Sequence, residues 1–280
     1  MKRLFVLIAA AATIALPEMA GAQALAVVSS DPPFAAGEEL VYNVSYRAAL
    51  IPPINVMRVS IRTLDETLAG SRHFHIVGNG RTTGAAKGFF ELNDTYHTWL
   101  DAATLLPSRM TSDIREDNYR FRATYTYDWN SKTVSNVRRN ANWDADQRDT
   151  FPLPSHNSGD ALSLFFRLRA IDPAILSPGK AYSLELVLDK DAKPITLRFI
   201  GREEVKIRKI GTFRALKFTC TMATSDGTSY EEGMSFTAWI SDDANKIPLM
   251  VESPIRIGRV SVTLANGFRT AHALTSRIKN

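Results

Sequence analysis

"YRFRATYTYDW", residues 119–129, places Tyr119, Phe121, Ala123, Tyr125, Tyr127 and Trp129 on odd positions and Arg120, Arg122, Thr124, Thr126 and Asp128 on even ones. Successive side chains of a strand point to opposite faces, so this alternation describes a strand with one aromatic face and one hydrophilic face. The same period of two runs through Leu40, Tyr42, Val44 and Tyr46, through Tyr182, Leu184, Leu186 and Leu188, through Ile195, Leu197 and Phe199, and through Met234, Phe236, Ala238 and Ile240. The chain is therefore expected to be mainly β: two similar curved antiparallel halves, half-barrel-like or sandwich-like, with one or two short helices. One segment departs from the rule. Asp160-Ala-Leu-Ser-Leu-Phe-Phe-Arg-Leu-Arg169 has a capping Asp, good helix formers, and cations where the helix dipole favours them, and Pro173 follows it.

Three stretches recur at long range. "TWLDAATLLP" (98–107) matches "AWISDDANKIP" (238–248) in having Trp, aliphatic, acidic turn, aliphatic and Pro; "GEELVYNVSY" (37–46) is similar to "GKAYSLELVL" (179–188), and "GSRHFHIV" (70–77) to "GTFRALKF" (211–218). The order of the anchors is kept, which predicts an internal duplication of about 37–150 and 179–266 within a single β-rich domain at 37–274. The helix near 160–170 would join the halves. Pro107 and Pro248 would start strands, where a missing N–H does least harm.

Lys2 and Arg3, the apolar run Leu4–Leu16 and the small residues Ala20-Gly21-Ala22 read as a cleavable secretory signal at 1–22, which predicts a periplasmic protein. No later run is long enough to span a bilayer. Residues 23–36, with Pro32-Pro33 and no periodicity, are expected to be a flexible leader, and the tail from Thr275 to be loose. Removing 1–22 leaves 32 basic and 28 acidic side chains, a balance of +4 with the charges scattered. No nucleic-acid partner is expected, because such a surface gathers its cations on one face. The single cysteine, Cys220, shares its parity with Leu216, Phe218 and Met222, so it belongs to a buried strand face and not to a disulfide.

Motifs for chemistry are sparse. Gly78 and Gly80 in "FHIVGNGRTTG" lack the third glycine of a dinucleotide fingerprint and read as a turn. His73, His75 and His97 offer imidazoles without the rest of a metal set, so no metal and no cofactor are expected. His156, Ser158 and Asp160 are close only in sequence, and the run reads as the turn and cap of the helix. Asp94, Asp101, Glu116, Asp242 and Asp243 fall at positions read as turns; a cell-wall glycan hydrolase would need two of them facing each other across a cleft. No catalytic residue is assigned, and a non-enzymatic role is expected.

The apolar inventory remains. Tyr42, Tyr46, Trp99, Phe121, Tyr125, Tyr127 and Trp239 lie on alternating strands. They are either core or the lining of a concave groove for a lipid or acyl-bearing ligand. The connection "ALIPPINVM" (49–57), with Leu50, Ile51 and Ile54, would form the rim of such a groove or touch a membrane or an envelope protein partner in a structural role.

Several stretches in order, "GEELVYNVSY", "DTYHTWLDAATLLPSRM" with "DIRE", "GDALSLFFRLR", "IGREEVKIRKIGTFRALKF" and "FTAWISDDANKIPLMVES" followed by "IGRVSVTL", resemble the bacterial exported family called domain of unknown function 3108. The resemblance covers roughly 34–266. It implies an envelope location in Gram-negative-type bacteria and a mostly β fold, and it carries no activity or catalytic residue. The Trp-aliphatic-Asp hairpins also look like those of periplasmic lipoprotein and lipid carriers with half-barrel folds, a likeness of pattern that does not license function.

Overall fold

The structure is a computed structural model that describes residues 23–24, 31–48, 51–222, 234–255 and 257–279. Its strands in chain order are β1 (Gln23–Ala24), β2 (Glu39–Ala48), β3 (Ile51–Leu68), β4 (Ser71–Thr82), β5 (Asn93–Asp101), β6 (Pro107–Glu116), β7 (Tyr119–Asp128), β8 (Thr133–Asn140), β9 (Gln147–Pro152) and β10 (Ser158–Gly159). After the one described α-helix, α1 (Ala161–Arg169), come β11 (Ala181–Leu188), β12 (Asp191–Ile207), β13 (Gly211–Met222), β14 (Met234–Ser241), β15 (Pro248–Pro254), β16 (Arg259–Leu264) and β17 (Arg277–Lys279). The protein is mainly β, as its alternation requires.

All strands belong to one sheet. β11 to β16 form an antiparallel meander, β16 pairs antiparallel with β2, and β2 to β9 form a second meander. The later half therefore lies beside the start of the earlier one, with Val262 opposite Val44. The sheet curls until its two ends meet through side chains: Val187 of β11 packs with Tyr125, Tyr127 and Val134, and the Asp189 carbonyl accepts from Tyr125 Oη at 3.0 Å and Asn136 Nδ2 at 2.6 Å.

α1 lies against the inner face. Asp160 caps it by accepting from Ser163 N at 3.0 Å, and its other carboxylate oxygen accepts from Thr98 Oγ1 at 2.9 Å, which pins the helix start to β5. Gly78 is not in a turn, as its neighbours suggested, but inside β4 beneath the helix: a Cβ there would lie 3.3 Å from Leu162. A bare backbone lets helix and sheet approach. At the other end of α1, Arg169 is 1% exposed and forks onto Glu38 at 2.6 and 2.8 Å. Its guanidinium lies over the rings of Phe34 and Phe166, and it also donates to the carbonyls of Pro33 and Asn245.

Three expectations are corrected here. The leader at 23–36 is not flexible throughout: Gln23–Ala24 pair with β11, and Phe34 is 2% exposed in the core, edge-on to Phe74 and Phe166. One buried ring and one buried hydrogen bond, from Arg169 to the Pro33 carbonyl, anchor a segment that has no period to reveal them. The tail from Thr275 is held as well, because Ser276 is buried and bonds Asp243 while β17 pairs with β13. The connection carrying the rim is mostly strand. Ile51 and Ile54 belong to β3, with Ile54 exposed, whereas Leu50 lies outside the described residues. Pro52-Pro53 is tolerated because β4 pairs with β3 only from Met57 onward, so one side of that stretch needs no N–H donor.

The two tryptophan hairpins share their construction. Trp99 and Trp239 are each followed by a register shift that pairs the next residue with Pro107 or Pro248. Leu105 and Lys246 each take positive φ in the turn, and Trp99 Nε1 and Trp239 Nε1 donate to Glu66 at 3.0 Å and Glu203 at 2.6 Å.

Candidate functional site

The inner face of β5 to β8 is covered unevenly. α1 covers its middle, and the turn between β11 and β12 covers the segment at Tyr125 and Asn136. The remaining end, around Tyr96, Ile114, Tyr119 and Phe121, has no element above it among the described residues and opens as a cavity of about 320 Å³. Met110, Ala123 and Trp143 complete its apolar wall, and Leu188 and the residues 189–191 form the facing lip.

Of the seven aromatic residues expected to share one groove, only Phe121 and Tyr125 line this cavity. Tyr127 points to the same face but is spent on packing, 7% exposed, with its hydroxyl 3.5 Å from Asp160 Oδ2. Tyr42 is core among residues of β2 to β4; its hydroxyl is buried with no hydrogen-bond partner among the described residues, and burial lifts its pKa far above the ordinary phenol value. Trp99 and Trp239 are buried in their own hairpins, and Tyr46 donates to the Ile257 carbonyl at 2.9 Å. A single seven-ring groove is thus corrected to a smaller recess. The rings diverge because the sheet curls between β2 and β7, so equal parity does not mean a shared neighbourhood. Tyr96, Ile114 and Trp143 were missed for the same reason: alternation assigns a face, and only the position of α1 and the β11–β12 turn decides where that face stays uncovered.

The polar groups of the recess are balanced. Arg138, buried on β8, is bound by Asp149 at 2.5 Å and lies 4.0 Å from Asp189. Lys190 and Lys193 stand with Glu116, Asp189 and Asp191 in the lining, so three cations meet three carboxylates. The site offers apolar surface with a neutral polar mouth.

Candidate catalytic groups do not assemble there. Asp94 is fully buried within β5, accepting from Arg115 N at 2.9 Å, with Oδ2 unpartnered among the described residues; burial pushes its carboxyl up to about 7, with Glu116 and Asp113 adding to the shift. It was expected in a turn, and it does not open with Glu116 onto the cleft. Asp101 and Asp243 do serve their turns, accepting from the amides of Thr104 and Asn245. His73 bonds Ser108, while His75 and His97 bond each other at 2.9 Å, stacked beside Trp99. Burial holds the pKa of both His75 and His97 below the ordinary imidazole range. No group of three or more metal-ligating side chains is found among the described residues. Cys220 is buried, and desolvation pushes its thiol up to about 12. No described helix is long and apolar enough to cross a membrane.

Comparison with curated proteins finds no match. Among solved structures, the chain is similar to the beta-barrel-like protein of domain of unknown function DUF1849 from Brucella abortus, at 10% identity and a TM-score of 0.49, covering 84% of this chain and 98% of that one. It is also similar to a protein described as a candidate lipoprotein from Parabacteroides distasonis, at 11% identity and a TM-score of 0.31, covering 83% and 96%. The family model described as protein of unknown function DUF3108 matches residues 41–265, and the chain belongs to that family.

Proposed function

We propose that this protein is exported to the periplasm through its N-terminal signal and binds, without catalysis, an apolar or amphipathic envelope component in the recess between β5–β8 and the β11–β12 turn. The observation that carries this reading is the uncovered aromatic wall: Phe121 and Trp143, edge to face at 6.0 Å, border with Tyr96 an open volume of about 320 Å³. That volume is at the small end of ligand pockets, which run from about 300 to 1,000 Å³. It suits one segment of an acyl chain or another short apolar group, with the remainder outside. The balanced charges at the mouth fit a ligand with little net charge.

Mass spectrometry of extracts from the purified protein and displacement of a fluorescent fatty-acid probe test this. Phe121→Asp should weaken the probe at least tenfold, because a desolvated carboxylate would face the chain. No co-purifying lipid together with no probe binding, or unchanged binding in the variant, overturns it. A structural role in envelope assembly is the second reading, favoured by the exposed Ile54 beside Pro52-Pro53; a stoichiometric protein partner after crosslinking would favour it over the first.

A further inference from the structure

On the opposite face of the sheet, strand register gathers three arginines. Across β2, β3 and β4, Val41, Ser60 and Asn79 form one row, with Arg58 and Arg81 directly opposite each other in the next row and Arg62 opposite Glu39 on the other side. These residues and Gly267 line a second cavity, of about 350 Å³. Its wall is built by the segment after β16. Ala265 N bonds the Val41 carbonyl and Arg269 N the Glu39 carbonyl, so Asn266-Gly267-Phe268 bulges between them, with Phe268 packed on the core and Gly267 at the cavity. Arg58 Nη2 donates to the Asn266 carbonyl at 3.2 Å, and Gly267, at φ +95°, lies close against the same guanidinium. Arg58 is therefore aimed, not free.

No ion pair to Arg58, Arg62 or Arg81 is found among the described residues, although elsewhere arginines do pair: Arg72 with Asp65, Arg115 with Asp113, Arg259 with Glu252. Like charges directly opposite on neighbouring strands are destabilising. Three guanidiniums against the Glu39 carboxylate leave two positive charges around the Ser60 hydroxyl. A phosphate monoester carries about −1.5 to −2 at neutral pH and offers three acceptor oxygens, and guanidinium forks match that geometry.

We propose that the groove formed by Arg58, Arg62 and Arg81 over Ser60 is a binding site for a phosphoryl group, from a soluble phosphate compound or from a phospholipid headgroup. It is independent of the inner recess, from which the sheet separates it, so Phe121→Asp should leave it intact.

Calorimetric titration of the whole protein with inorganic phosphate, and flotation with vesicles of phosphatidylcholine alone or containing phosphatidylglycerol, test the site and distinguish its sources. Wild-type binding of phosphate, weakened at least tenfold in Arg62→Gln/Arg81→Gln, supports the site with a soluble ligand. Flotation only with phosphatidylglycerol, lost in the same variant, supports it with a lipid headgroup. Both arginines are exposed, so the variant should fold. A second variant, Ser60→Asp, supplies a carboxylate in place of the ligand and should raise the melting temperature while abolishing binding. Absence of binding in both assays, or binding that neither variant alters, overturns the proposal.

Discussion

The two tryptophan hairpins are built alike and served differently. In the first, Trp99 donates to Glu66 and stacks on His75 at 4.4 Å, with His97 beyond. In the second, Trp239 donates to Glu203, and Lys217, directly opposite it as His75 is opposite Trp99, lies over the ring at 5.4 Å and bonds Glu203 at 3.2 Å. One hairpin thus neutralises its carboxylate with a permanent cation, and the other sets beside it an imidazole whose charged form burial disfavours. The scaffold fixes the tryptophan, the carboxylate and the bulge, and leaves the third partner open.

The same contrast extends to the glycine corners. Gly37 N and Gly179 N each bond a strand carbonyl at 2.8 Å, from Thr63 and Phe199, yet the next residues are Glu38, buried on Arg169, and Lys180, which reaches over Tyr182. Breaking this pair of corners gives the largest expected effect. Glu38→Ala strands a buried guanidinium and should cost about 3–5 kcal/mol in urea unfolding, whereas Lys180→Ala should stay within about 0.5 kcal/mol. Equal costs would show that the corners do the same work.

The next contrast is Asp94, whose register position beside Gly80 corresponds to that of Met234 beside Met222. Its carboxyl rises from the ordinary 3.8 to about 7 in the fold, so folding takes up a proton between those values. Stability from this group is full below about pH 3.8 and is lost as pH rises through 7. Asp94→Asn, neutral at every pH, should therefore stabilise the protein at pH 8 by on the order of 2 kcal/mol and have little effect at pH 4. Melting curves at both pH values check the difference.

The hairpins themselves differ by less. His75 and His97 have lowered pKa values through burial, so they contribute stability above the ordinary imidazole value that is lost as pH falls through their folded values. His75→Lys, which copies the Lys217 arrangement, should remove the His75 share of that acid sensitivity, a change of less than about 1 kcal/mol; an unaltered pH profile would mean that His75 is not a source of it. Smallest of all, Glu203→Gln keeps an acceptor for Trp239 and removes only a half-exposed ion pair. About 0.5 kcal/mol is expected, and a double-mutant cycle with Lys217→Gln would isolate it.

What the sequence made legible follows from what each signal measures. Period-two runs such as Tyr119–Tyr127 report a strand and its buried face, and Asp160 reports a helix start, because both depend on neighbours in the chain. Phe34 has no such context, and its burial depends on Phe74 and Phe166 far away. Gly78 looked like a turn residue because only Leu162 above it explains a bare Cα inside a strand. Phe121 and Tyr42 were indistinguishable by pattern. One looks into a recess and the other into the core, and that difference lies in the path of the curl. The arginine groove needs the register of β3 on β4, which no single segment contains.

The pairing of β16 with β2 sets a timetable. Ser45 waits for Ser261, 216 positions later, before its strand has a neighbour on that side. Until residues 259–264 are in place, the β2 edge is an open template for other extended segments. Such remote closure slows assembly, so a partly folded chain should depend on protection from aggregation until β16 docks on β2.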